Sequence, residues 1–164
     1  MNWSNRWLIP ASLFIALTIS VIPLPTWLSD FRPDWVVMTI LWWNLHYPKQ
    51  FNVGSSWVAG ILMDAVNSTV LGQYALATTL SSYLGIRINP QFQLFSLLQK
   101  TLSILLLLAI YRMLLFWIFS VSGETVETSS HWKPLLTDAL IWPWLSALFR
   151  EIVRHFTKAE PEES

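Results

Sequence analysis

Cysteine is absent from the 164 residues. That excludes disulfides and Cys-ligated metals, and leaves the compartment open. Charge is scarce: 12% of the residues are Asp, Glu, Lys or Arg, about half of what an ordinary soluble domain carries. The charges cancel formally, so bulk electrostatics make no case for nucleic acid. Glycine is rare, with five in all, and no Gly-rich phosphate loop occurs. No nucleophile and base stand at a spacing that suggests catalysis. His46 and His131 lack a second ligand at helical spacing, which argues against a metal. The expectation is a protein without enzymatic activity, cofactor or metal.

What is present is oil. Hydrophobic residues make up 54% of the chain, arranged in more apolar runs than one soluble core can bury. Six stretches emerge, over about 7–24, 33–47, 53–71, 73–88, 94–121 and 134–149. They predict an all-α integral membrane protein with six transmembrane helices and a single membrane domain over 1–164. The first stretch follows Arg6 and has no small-residue cleavage site behind it, so it reads as an uncleaved helix rather than a signal peptide. Prolines punctuate the ends: Pro23 and Pro25, Pro48, Pro90. Proline lacks the amide donor and clashes with the preceding turn. Many of the eleven Trp fall near segment ends: Trp3, Trp7, Trp27, Trp35, Trp57, Trp132, Trp142 and Trp144. There the ring can be buried while its N–H stays at the headgroups.

The segments differ in character. The second is short, with a strongly apolar part of roughly 20 Å, so it either begins earlier, around 27–31, or sits in a thinned or sheltered position. The third and fourth carry small residues, among them Gly54, Ala59, Gly60, Ala75, Ala77 and Gly85. Small residues let helix backbones approach closely within a bilayer. These two segments are expected to form a buried antiparallel hairpin. The Ile104–Ala109 run of the fifth reads as lipid-facing. The tail, 150–164, is expected to be cytoplasmic, with a disordered acidic end.

Six crossings with an inner N-terminus place Arg6, Lys49, Arg87, Lys100, Arg150, Arg154 and Lys158 on the inner side, against Arg32 and Lys133 outside. The positive-inside rule then predicts a multi-pass membrane protein with both ends in the cytoplasm.

Polar residues inside the spans are costly and therefore informative. Asp64 lies about 11 residues into the third segment, roughly 16 Å deep. Arg112 in the fifth sits at a similar depth. Two readings stand: an Asp64–Arg112 ion pair, or an Asp64 that is protonated or bonded to Asn67, Ser68 or a partner while Arg112 snorkels. Asp64, Asn67, Gln73 and Arg112 are the intramembrane polar candidates. Asp138, one turn into segment six, reads as interfacial and wet.

Several local strings carry a resemblance. Phe31-Arg32-Pro33-Asp34-Trp35 opens segment two. Asn52-Val53-Gly54 and Trp57-Val58-Ala59-Gly60 lead to Asp64, then to Leu71-Gly72-Gln73-Tyr74-Ala75-Leu76. Trp142-Pro143-Trp144 precedes Arg150. In this order and spacing, over about 8–156, the chain resembles the bacterial rod shape-determining MreD family. The resemblance implies a place in the bacterial inner membrane and a non-enzymatic scaffold of the cell-elongation complex, acting with MreC, the actin-like MreB filament, RodA and its partner transpeptidase in lateral peptidoglycan synthesis. It also implies a bundle similar to the substrate-binding subunits of energy-coupling-factor transporters. Partner-contact candidates are Arg32, Asp34 and Trp35 at the outer edge, and Trp142, Trp144, Arg150 and Arg154 towards the other end. The alternative is a small-molecule-binding membrane subunit of a transporter, drawing on the buried polar set.

Overall fold

A computed structural model describes residues 7–25, 29–123 and 128–158. The expectations for Trp3, Arg6, Trp27 and the acidic end lie outside them. Six helices follow one another: α1 (Leu8–Val21), α2 (Trp35–His46), α3 (Val53–Asn67), α4 (Gln73–Phe92), α5 (Leu97–Val121) and α6 (Thr128–Lys158). The described residues contain no strand, so the described fold is all-α.

Local chemistry sets most boundaries. Val21 ends α1 two residues before Pro23. The Asn52 side chain accepts the Ser55 amide at 3.2 Å and starts α3. Ser68 turns left-handed at φ 55° and ends it. Gly72 then takes φ 108°, a conformation that favours glycine, and leads into α4. Ser96 and Gln99 form a reciprocal capping box at the start of α5. Two of the ends that differ from the sequence expectation run through prolines. α4 continues past Pro90 to Phe92, where Asn89 and Gln93 both donate to the Leu45 carbonyl of α2 and tether its last turn. α6 begins before Pro134 and runs through it and Pro143.

The short second segment is the centre of the bundle. Every residue of α2 from Val36 to Leu45 is buried. At 12 residues the helix is about 18 Å long, so its sheltered position, rather than an earlier start, explains its length. Both of its ends are satisfied by other helices: Asp138 of α6 accepts the Asp34 amide at 2.9 Å, and Leu45 is capped as described. Trp43 Nε1 donates to Ser12 of α1, and Trp42 stacks on Phe149 of α6.

The hairpin of α3 and α4 is less enclosed than expected. Its small-residue faces pack together: a Cβ on Gly60 would stand 2.5 Å from Ala75 Cα. Its other faces, with Trp57, Val58, Leu62, Leu76, Leu80 and Leu84, are exposed. The 104–109 run also divides by helical period: Ile104, Leu107 and Leu108 are buried and Leu106 is exposed. Among the described residues, one helix is by itself long and apolar enough to cross a membrane, over Leu98–Val121; α1 is apolar but shorter. α2 and α3 have 12 and 15 residues, below the length of an independent span.

Candidate functional site: a polar cavity where all six helices converge

Two polar assemblies lie at the end of the bundle that holds the C-terminus of α3 and the N-terminus of α4. The first is built on Asp64. Its side chain is fully buried. Oδ1 accepts from the Tyr74 amide at 2.8 Å and from Thr69 Oγ1 at 3.1 Å. Oδ2 accepts from the Gly72 amide at 2.9 Å and the Ala75 amide at 3.3 Å. The carboxylate therefore caps the N-terminus of α4 from the preceding helix. It supplies acceptors for otherwise orphaned amides and negative charge at the positive end of the helix dipole. Because α3 stops at Asn67, Asp64 stands one turn from the helix end and not at mid-depth. Asn67 is not its partner, donating instead to the Met63 carbonyl.

The second assembly corrects the proposed pairing of Arg112. Its Nη2 donates to Asp34 Oδ2 at 2.6 Å, with side-chain exposures of 10% and 18%. Its Nη1 donates to the His131 carbonyl at 2.9 Å, and the His131 ring returns a bond from Nε2 to the Arg112 carbonyl at 2.8 Å. Asp34 in turn gives its amide to Asp138, which is fully buried rather than wet. Loop, α5 and α6 are thus joined through one guanidinium. Arg112 Nε, Asp138 Oδ2 and the Tyr111 hydroxyl are buried with no partner among the described residues. Such groups are costly in a low-dielectric interior, which marks this as a strained, polar core.

Between the two assemblies lies a cavity of about 220 Å³. Leu17 and Ser20 of α1, Trp35 of α2, Met63 and Asn67 of α3, Tyr74 of α4, Arg112 and Phe119 of α5 and His131 of α6 all line it, together with Arg32 and Asp34 of the loop before α2. Chemically its lining combines two guanidiniums, an imidazole, a carboxylate and an amide with apolar side chains. Among the described residues no group of three His, Asp or Glu gathers to hold a metal.

The structure brings Arg32, Asp34, Trp35, Asn67 and Arg112 to one cavity. It leaves Asp64 and Gln73 outside, with Gln73 buried in the first turn of α4. Asp34, a partner-contact candidate in the sequence, forms an ion pair with Arg112 within the bundle. Trp142 is 3% exposed and belongs to the core, whereas Trp144 is 80% exposed. Arg150 and Arg154 are exposed, and Arg154 pairs with Glu151 on its own helix. Asp138 and His131 were the residues missed.

The family described as rod shape-determining protein MreD matches residues 1–152. A protein of Haemophilus influenzae named rod shape-determining protein MreD is 29% identical over 153 residues, covering 91% of this chain and 93% of its own. No solved structure matches.

Proposed function

The chain belongs to the MreD family of rod shape-determining proteins, and from that membership we propose that it is a non-enzymatic membrane scaffold of the bacterial cell-elongation complex. In this reading all six helices cross the inner membrane with both ends in the cytoplasm. The protein helps link MreC, RodA and its partner transpeptidase to the MreB filament during lateral peptidoglycan synthesis.

The observation that carries the reading is the outer surface of the bundle. Phe14 and Ile15 of α1, Leu62 of α3, Leu80 of α4, Leu102, Leu106 and Trp117 of α5, and Leu140 and Leu148 of α6 are all exposed. Apolar surface on this scale is stable only against lipid or another protein. α2 is the one helix without such a face, and its neighbours shield it. An apolar groove of about 500 Å³ between α1 and α3, lined by Ile9, Leu13, Phe14, Val58 and Leu62, suits the transmembrane helix of a partner. Affinity purification in mild detergent tests the reading. Recovery of MreC and the wall synthases is expected, and their absence from a controlled preparation would overturn it.

The outer cavity favours a second reading, a small-molecule-binding subunit of a transporter with a fold like that of the energy-coupling-factor subunits. Depletion separates the two. Rounded rod cells support the scaffold, and a purely nutritional defect supports the transporter.

A further inference from the structure

The opposite end of the bundle holds a different cavity, of about 320 Å³. The ends of α2 and α4 and the facing sides of α5 and α6 wall it, through His46, Phe92, Gln93, Lys100, Ser146 and Arg150. Its charged members are both cations and no carboxylate lines it. Neither Lys100 nor Arg150 belongs to an ion pair among the described residues. Lys100 Nζ lies 5.6 Å from the centroid of the Phe92 ring, and Arg150 Nε donates to its own helix at Ser146. Two cations from different helices thus share one recess without a counter-charge. Of the other described basic residues, Arg112 and Lys133 pair with aspartates and Arg154 with Glu151, while Arg32, Lys49 and Arg87 also form no ion pair but line no recess with a second cation from another helix at this end.

The recess does not stand alone. Thr101 also belongs to the wall of an apolar groove of about 410 Å³ that runs along α5 past Leu98, Leu102 and Leu105. Leu98 and Leu102 are 80% and 65% exposed. A cationic recess and an exposed apolar strip of α5 therefore meet at one residue. That is the chemistry of a molecule with an anionic head and a hydrocarbon tail. A soluble phosphate would match the recess alone and make no use of the strip.

We propose that this double site binds an anionic phospholipid, with the phosphodiester between Lys100 and Arg150 and an acyl chain along Leu98, Leu102 and Leu105. Basic pockets between helices at the cytoplasmic level of a membrane recognise such headgroups, and Lys and Arg hold phosphate as charge-assisted donors. The inference rests on the reading that α5 and α6 cross the bilayer with this end at the cytoplasmic face.

The test is a lipid titration of the full-length protein in neutral detergent, read by native mass spectrometry. The probes are phosphatidylglycerol, phosphatidylethanolamine and inorganic phosphate. Wild type is expected to retain phosphatidylglycerol at least tenfold more tightly than phosphatidylethanolamine, with millimolar phosphate failing to displace it. Lys100→Gln/Arg150→Gln is expected to lose that preference, and Arg154→Gln to keep it. Equal retention of the two lipids by wild type would overturn the proposal. So would an equal loss in Arg154→Gln, or displacement by phosphate, which would mark a site for free anions. The wild-type comparison stands even if the double variant fails to fold. Partner recovery is scored on the same preparations, so partners retained without a lipid preference would sink this site alone and leave the scaffold intact.

Discussion

Arg112 on α5 holds Asp34, 78 residues earlier in the chain, at 2.6 Å, and the aspartate in turn gives its amide to Asp138 on α6. This chain of contacts positions the N-terminus of the central helix. It also explains why a guanidinium is tolerated among apolar neighbours: two of its nitrogens are satisfied by a carboxylate and a carbonyl. Removing one member of a buried pair leaves the other charge uncompensated, which costs about 3–5 kcal/mol.

A double-mutant cycle separates the two possible partners of Arg112. Asp34→Ala and Arg112→Ala are each expected to lower stability strongly in an SDS mixed-micelle unfolding titration. Their combination should be less harmful than the sum, by at least about 1 kcal/mol of coupling. Asp64→Ala and Arg112→Ala should add within about 0.5 kcal/mol. Coupling of Arg112 to Asp64 instead would overturn the assignment.

Asp64 acts on α4 through backbone amides, so its loss has a local signature. Asp64→Ala leaves the amides of Gly72, Tyr74 and Ala75 without their acceptor and should cost about 2–4 kcal/mol. Amide hydrogen exchange should accelerate at 72–75 and stay unchanged in α5. Asp64→Asn keeps an acceptor and should lose less. Equal damage by both substitutions would point to charge rather than capping.

The glycines of the hairpin are not equivalent. Gly60→Ala drives a Cβ into the Ala75 backbone, 2.5 Å away at Cα, and should destabilise by about 1–3 kcal/mol. Gly85→Ala meets only Leu107 and Leu41, at 3.6 and 3.7 Å. That is ordinary contact, and replacing a helical glycine by alanine is worth up to about 1 kcal/mol. Thermal unfolding in detergent should show a clear drop for the first and none for the second.

The absence of cysteine makes topology directly measurable by single-cysteine labelling in intact cells. Under the six-crossing reading, Ser122→Cys should react with an impermeant thiol reagent added outside. Arg154→Cys should react only after the membrane is opened. Outside labelling at position 154 would overturn the topology.

The sequence by itself determined that six helices form and roughly where each lies. Proline positions, the Asn52 and Ser96 caps and the apolar runs are local signals, and helix formation answers to local signals. The strings that carry the family likeness turn out to be working parts: Asp64 and Gly72-Gln73-Tyr74-Ala75 form one hydrogen-bonded turn, and Asp34 is the partner of Arg112. Only the tertiary structure decided which charge meets which, that the shortest helix is the central one, and that Trp142 is core while Trp144 two residues on is outside. A pairing is a property of distance in space. Depth counted along a single helix places a residue only as well as that helix's end is known, and α3 ends four residues before the stretch read from its hydrophobicity.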